Sequence, residues 1–332
     1  MKISVLSDGG WGTALAVNLL KNGHDVTMWG PFPDYLAQME TTRENTKFLK
    51  GITLPDTLKF EADMEKAVNG SSILLLATPT QYLRGVLNTL KPFFDKEKHL
   101  LVNVAKGIEV DTWYRISEMV TQILGENRYV VLSGPSHAEE VARHVPTVVT
   151  AASCNQQDAE TVQQVFSSNV FRVYTSRDVV GVELGGALKN VMALAAGMID
   201  GMALGDNPKA AMMTRGITEM GRLGALLGGD ATTFSGLSGI GDLIVTCTSG
   251  HSRNRHVGEE LGKGRKLAEI LEEMGMVVAE GVPTAKGAYT LARKINAETP
   301  IIDEIYAILY ANGDVRNSID KLMSRPPRSE GN

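Results

Sequence analysis

Cysteine is scarce: Cys154 and Cys247 are the only two in 332 residues, far apart and in no metal-ligand spacing. That excludes a disulfide scaffold and gives no zinc signal, and it fits a reducing cytoplasm better than secretion. Long hydrophobic runs are also missing. The longest, Val191 to Ile199, falls far short of a bilayer span, so no integral membrane segment is expected. The run Ile3 to Leu6 is too short for a signal peptide. Positive charge is not in excess either. A net charge of −5 excludes a global pull toward nucleic acid or an anionic membrane. An anionic ligand would need a local basic pocket. There is no repeat and no low-complexity tract.

What is present is a strong alternation of apolar runs and helical patterns in the first half. Ile3–Leu6, Val26–Trp29, Ile73–Ala77, Leu100–Val104 and Tyr129–Leu132 read as strands, nearly pure aliphatic where both faces are covered. Trp11–Leu20, Tyr82–Leu90 and Tyr114–Leu124 read as intervening helices, the first stopped by Gly23. This order predicts βαβ units in a doubly wound parallel sheet. After Val170–Tyr174 the strand signals fade. Val182–Met202 is apolar nearly all round, as a buried helix is. Asn207-Pro208 reads as a helix start, with the helix running toward Leu227, and further helices are predicted over 253–262, 265–274, 284–296 and 303–311. The expected architecture is α/β: a Rossmann-like domain over 1–180, an all-helical domain over 181–325, and a loose polar tail over 326–332. The methionines at 192, 198, 202, 212 and 213 read as core filling.

Between the first strand and first helix lies Ser7-Asp8-Gly9-Gly10-Trp11-Gly12. This is where a dinucleotide fold turns tightly against a pyrophosphate and offers a helix N-terminus. Gly9 and Gly12 hold the second and third glycine positions, but Ser7 stands at the first, and Asp8 adds negative charge. A glycine turn without a ligand is the plain alternative. The second strand ends Trp29-Gly30-Pro31-Phe32, with no acid for ribose hydroxyls and no arginine for a 2′-phosphate. On the dinucleotide reading the expected cofactor is NAD or NADP, and the missing arginine tilts the choice slightly toward NAD.

Several polar residues stand where chemistry is possible. Lys189 sits in the apolar helix, costly to desolvate unless it has a partner or a task such as exchanging a proton with a substrate oxygen. A lysine snorkelling to the surface is the alternative. Lys106 follows the strand Leu100–Val104 at the carboxyl edge, where such sheets bind ligands, though a loop lysine fits as well. Gly134-Pro135-Ser136 ends the next strand and reads as opening a helix, or as a capped turn. Ser252-Arg253-Asn254 looks like a helix start able to grip a phosphate dianion, or a solvated helix end. Asp242 is a glycine-rich turn residue or a carboxylate that orients Lys189, and Thr246 would share its helical face. His137 and His144 neighbour Glu139 and Glu140 without forming a metal constellation. His251 and His256 flank the proposed grip and could add positive charge at low pH.

Taken together, Gly9–Ala16, Ala77-Thr78-Pro79, Ala105–Ile108, Leu132–Ser136, Leu188-Lys189-Asn190, Gly236–Leu243, Thr246–Thr248, Ser252–Asn254 and Val278–Gly281 resemble the bacterial-type NAD(P)-dependent glycerol-3-phosphate dehydrogenase family along nearly the whole chain. The resemblance implies reduction of dihydroxyacetone phosphate to sn-glycerol 3-phosphate for glycerophospholipid synthesis. It implies that Lys189, Lys106 and Asp242 are catalytic, with Lys189 exchanging the proton. Substrate would touch Lys106, Gly134, Ser136, Lys189, Asn190, Asp242 and Thr246, with its phosphate at Ser252, Arg253 and Asn254. Cofactor would touch Gly9, Gly10, Trp11, Gly12, Lys106, Ala138, Arg253, Val278 and Glu280. No metal is implied, the partner is a phosphorylated small molecule, and a homodimer stays open. Two other functions remain. A β-hydroxyacid or 6-phosphogluconate-type dehydrogenase would share the fold and a catalytic lysine. A non-catalytic dinucleotide sensor is kept open by Ser7 and Asp8.

Overall fold

The computed structural model describes residues 1–327, 329 and 330. Ten strands come in chain order: β1 (Lys2–Leu6), β2 (Asp25–Trp29), β3 (Glu44–Asn45), β4 (Leu49–Thr53), β5 (Lys59–Glu61), β6 (Ile73–Leu76), β7 (Leu100–Asn103), β8 (Arg128–Ser133), β9 (Thr147–Ala152) and β10 (Phe171–Ser176). Eight of them form one sheet in the order β10-β9-β8-β7-β6-β1-β2-β5, and β3 and β4 pair separately. Seven helices belong to this half: α1 (Gly10–Lys21), α2 (Pro33–Thr42), α3 (Met64–Val68), α4 (Thr80–Leu90), α5 (Ile116–Leu124), α6 (Ala138–Ala142) and α7 (Gln156–Phe166). Both sheet faces are covered. Ile3, Val5, Leu75 and Val102 pack toward one core and Leu6, Leu74, Leu76 and Leu101 toward the other. This two-sided burial is why the strands read as unbroken aliphatic runs.

The sheet is parallel except where β9 meets β8 antiparallel. The link between them carries only α6, whose five residues rise about 7.5 Å, against about 20 Å for the six-residue β8. That is too short for a crossover, so the chain turns back directly. The eleven-residue α7 then supplies a crossover and β10 returns parallel. Strand order reverses at β1, which lies between β2 and β6. The crevice at the carboxyl ends there is the ligand position in open α/β sheets.

The second half is helical: α8 (Val179–Gly201), α9 (Asp206–Leu226), α10 (Asp242–Thr248), α11 (Arg253–Gly262), α12 (Leu267–Met274), α13 (Gly281–Lys294), α14 (Pro300–Tyr310) and α15 (Val315–Met323). Short 3₁₀ and π turns over Ala231–Ser235 and Leu237–Gly241 lead into α10. At 23 residues α8 is close to the buried helix expected over Val182–Met202, and by length and composition it could cross a bilayer. It is instead the core of this half, with 89% of its most apolar window buried inside the protein. Met192, Met198 and Met212 fill that core, while Met202 and Met213 are half-buried at its edge.

One helix start differs from expectation. α9 begins at Asp206, after Gly205 in the left-handed region at φ 89°, so Asn207 and Pro208 lie inside the first turn and Asn207 is not the cap. Of the expected tail, residues 328, 331 and 332 lie outside the described residues.

α8 and α11 cross at very close range because glycines face each other. A Cβ at Gly197 would lie 1.9 Å from the Arg255 carbonyl oxygen, and one at Gly258 would lie 2.0 Å from that of Leu194. Backbone cannot yield to a methyl group as a flexible side chain would. Gly197→Ala is expected to destabilise the fold by on the order of 2 kcal/mol, read as a lowered midpoint in urea. An unchanged midpoint would contradict this crossing.

Candidate active site

The glycine turn follows β1 directly, and α1 starts at Gly10 with Gly9 as its extended N-cap. Ser7 is not in the left-handed region, so the first position needs no glycine. Its hydroxyl instead accepts from the Gly9 N–H at 3.0 Å. Gly12 serves packing, since a Cβ there would lie 3.1 Å from Val5 Cγ1 and 3.2 Å from Ala77 Cβ. Gly10 lies under the β3–β4 loop, where a Cβ would be 2.3 Å from the Phe48 carbonyl oxygen. Asp8 neither caps the helix nor points away. It is buried, and Asn45 donates to its carbonyl at 2.8 Å.

From this turn a cleft of about 520 Å³ runs between the sheet's carboxyl edge and the helical half. That volume is in the range of small-molecule and cofactor sites. Gly9, Gly10, Trp11, Lys106, Ser136, Ala138, Lys189, Asn190, Thr246, Ser252, Arg253, Asn254, Val278 and Glu280 all line it. Gly12, Gly134 and Asp242 lie behind its wall. A second cavity, about 590 Å³, lies among α8, α9, α14 and α15. It is lined largely by apolar side chains and contains none of the residues above.

At the centre, Asp242 joins two lysines. Its carboxylate meets Lys106 Nζ at 2.5 Å and Lys189 Nζ at 3.0 Å. Lys189 also donates to Thr246 Oγ1 at 2.7 Å, and that hydroxyl donates to the Asp242 carbonyl at 2.6 Å, one helical turn back. All three charged groups are largely buried, with Asp242 1% exposed and Lys189 7%. Burial pushes the Lys106 ammonium down to about 8, with Asp242 opposing and Lys189 reinforcing the shift. Burial would raise the Asp242 carboxyl, yet the two ammonium groups hold it below the usual carboxylate range.

Gly134 contributes its carbonyl, which accepts from Lys106 at 2.9 Å and from Ser136 Oγ at 2.8 Å. Its φ of 148° and a Cβ contact of only 3.0 Å to Val149 Cα require glycine. The expected helix start at Gly134-Pro135-Ser136 is displaced: α6 begins at Ala138, with His137 at the N-cap. Asn190 and Asn254 are largely used within the protein. Asn190 Nδ2 donates to the Lys106 carbonyl at 3.1 Å, Asn254 Nδ2 to Asn190 Oδ1 at 2.9 Å, and the Gly281 N–H to Asn254 Oδ1 at 2.8 Å. They tie α8, α11 and α13 together beside the cleft.

Ser252 caps α11, accepting from the Arg255 N–H at 3.2 Å. The next residue, Arg253, is half-buried and forms no hydrogen bond or ion pair with the described residues. Burial lowers its pKa, against the pull of Glu139 and Glu280. Glu280 Oε1 accepts from the Thr80 N–H at 2.8 Å, bridging the two halves at the start of α4, and burial pushes its carboxyl up to about 7. His137 was not foreseen as a site residue. It lines the cleft with His251, its ring 5.8 Å away, and burial lowers its pKa, with Lys189 acting in the same direction. Phe32, Phe48 and Tyr82 at the outer rim were also missed.

The cleft fits a dinucleotide on its own chemistry. Four of the eight buried side-chain polar atoms without partners among the described residues belong to cleft-lining residues: Asp8 Oδ2, Trp11 Nε1, His137 Nε2 and Glu280 Oε2. Unsatisfied groups are costly, and gathering them in one cleft marks a ligand site.

A doubly wound sheet, a glycine turn at its switch point, and two lysines sharing a carboxylate beneath a buried helix define a nicotinamide-dependent dehydrogenase. Residues 2–159 match the NAD-dependent glycerol-3-phosphate dehydrogenase N-terminus and residues 178–320 the C-terminus of the same family. The chain belongs to that family. It is 50% identical to a glycerol-3-phosphate dehydrogenase [NAD(P)+] of Bacillus mycoides (strain KBAB4), over 99% of this chain and 97% of that one. With the same-named protein of Citrifermentans bemidjiense it shares 48% identity, over 99% of each chain. The crystal structure of glycerol-3-phosphate dehydrogenase from Coxiella burnetii superposes with a TM-score of 0.94 at 36% identity, covering 98% of this chain and 99% of that one.

Proposed function

We propose that the protein reduces dihydroxyacetone phosphate to sn-glycerol 3-phosphate, feeding glycerophospholipid synthesis in the cytoplasm. The observation that carries this is the pair formed by a buried lysine cluster and an unpaired arginine at a helix N-terminus in one cleft. The cluster suits a ketone, and the arginine suits a phosphate dianion.

Bound nicotinamide cofactor supplies the hydride. Gly9, Gly10, Trp11, Ala138, Val278 and Glu280 hold it. Arg253, with the Ser252 hydroxyl and the first N–H groups of α11, holds the substrate phosphate. Lys106 and Lys189 polarise the C2 carbonyl. As the oxygen becomes an alkoxide, Lys189 Nζ delivers a proton to it, and Asp242 and Thr246 keep that ammonium in line. Fixed charges already aimed at the developing alkoxide then lower the barrier without reorganising. Asn190 and Asn254 position the elements, and the Gly134 carbonyl holds Lys106 while also accepting from Ser136.

The test is loss of NADH or NADPH absorbance on mixing with dihydroxyacetone phosphate. A β-hydroxyacid dehydrogenase would prefer a carboxylate substrate, and a sensor would bind cofactor without turnover. The pH profile adds a specific expectation. Burial weakens the hold of Lys106 on its proton, so its ammonium is present below about 8 and lost above. kcat/KM for reduction is therefore expected to fall as pH rises through about 8. A flat profile from neutral pH to well above 9 would count against Lys106 as a polarising group.

A further inference from the structure

We propose that Asp8 selects NADH over NADPH: it accepts hydrogen bonds from the adenosine ribose hydroxyls and excludes a 2′-phosphate. The proposal rests on the dinucleotide reading of the cleft and goes beyond it to the choice of cofactor.

Dinucleotide folds that prefer NAD commonly place an acid just after the second strand, where it holds the ribose 2′-hydroxyl. Here that position is Gly30, immediately after β2. The glycine is filled from the other side. A Cβ built on Gly30 would lie 2.9 Å from Asp8 Oδ2 and 3.0 Å from Asp8 Cβ and Cγ. The carboxylate thus occupies the space that a side chain from position 30 would otherwise take. Asp8, Trp29, Pro31 and Phe32 line the same end of the cleft.

Asp8 is 8% exposed, and its Oδ2 has no hydrogen-bond partner among the described residues. A buried carboxylate oxygen without a donor is costly, and two ribose hydroxyls would supply donors. Burial raises the Asp8 carboxyl above its usual range, with Lys47 opposing. Donors to the ionised form reverse that shift.

Among the described residues, no lysine or arginine lines this end of the cleft. Residues 30–34 read Gly-Pro-Phe-Pro-Asp. Lys47 does not line the cleft, and its ammonium sits over the Tyr35 ring, 4.3 Å from the centroid. The cleft's cations are Lys106, Lys189 and Arg253, with His137 and His251, and Lys106 follows β7. In the sheet, β7 is three strand spacings from β2, about 14 Å. At that distance the Lys106 charge offers little attraction to offset a carboxylate beside the phosphate.

The test is calorimetric titration of the full chain with NADH and with NADPH, without substrate. The unsubstituted protein is expected to bind NADH at least about tenfold more tightly. Asp8→Ala should weaken NADH about tenfold and leave NADPH unchanged or tighter, so the preference collapses. Asp8→Asn keeps the shape and one acceptor, and should retain part of the NADH affinity while gaining NADPH affinity. It also preserves the test if the alanine variant fails to fold. Equal binding of the two nucleotides by the unsubstituted protein, or a preference unchanged in both variants, would overturn the role of Asp8 alone. Binding of neither nucleotide would instead overturn the cofactor reading beneath it.

Discussion

Lys189→Ala is expected to lower kcat by about 10³–10⁴-fold, because it removes both the proton donor and one of two charges facing the developing alkoxide. Lys189 is buried on α8, held by Asp242 at 3.0 Å and Thr246 at 2.7 Å. Its removal does not strand Asp242, which keeps Lys106 at 2.5 Å. The fold and the cofactor end of the cleft should therefore survive, and NADH affinity should change little. Lys189→Arg should not rescue turnover, since a planar fork cannot place one point charge in the same buried space. Stopped-flow reduction and nucleotide titration on the same samples check the claim. Turnover within tenfold of the unsubstituted protein would show that another group delivers the proton.

The fold was legible where burial is two-sided. β1, β6 and β7 sit between covered faces, and their aliphatic runs left little choice. β3 and β5 were not legible, because they are short and mostly polar and β5 is the sheet's edge strand, and β4 was not because only Leu49 and Ile52 of its five residues are buried. The antiparallel turn at β9 follows from the shortness of α6, a property of a connection and not of any strand pattern. In the site, Lys189 and Arg253 stood out because a charge in an apolar helix or at a helix start needs a reason, and Lys106 because it follows a strand at the sheet's carboxyl edge. Their joint geometry did not. Asp242 and Lys106 are 136 residues apart, and only folding reveals that one carboxylate serves both lysines. Asn254 reads in the sequence as a ligand for phosphate; it lines the cleft, and only folding reveals that its amide also holds Asn190 and the start of α13. His137 was hidden because a histidine beside two glutamates carries no period or motif. Phe32 and Tyr82 were hidden for a related reason. They are 50% and 64% exposed, and sequence alone does not separate an aromatic at a cleft rim from one on an ordinary surface.

Arg253→Ala should act on the other half of the reaction, raising KM for the phosphorylated ketone by about 10²–10³-fold with a smaller effect on kcat. Two charge-assisted hydrogen bonds to a dianion account for a loss of that size. The stability effect should have the opposite sign from most site mutations. Arg253 is half-buried and forms no hydrogen bond or ion pair with the described residues, so in the free protein its desolvation is only partly offset, by the pull of Glu139 and Glu280. Removing it should leave the apparent melting temperature unchanged or raised, whereas removing a structural arginine would lower it. Phosphate ion offers a direct probe: it should raise the melting temperature of the unsubstituted protein and not that of the variant. Arg253→Lys should recover part of the affinity as a single charge without the bidentate fork. If the substitution weakens NADH binding and spares KM for the ketone, Arg253 belongs to the cofactor, and the substrate phosphate must be held elsewhere in the cleft.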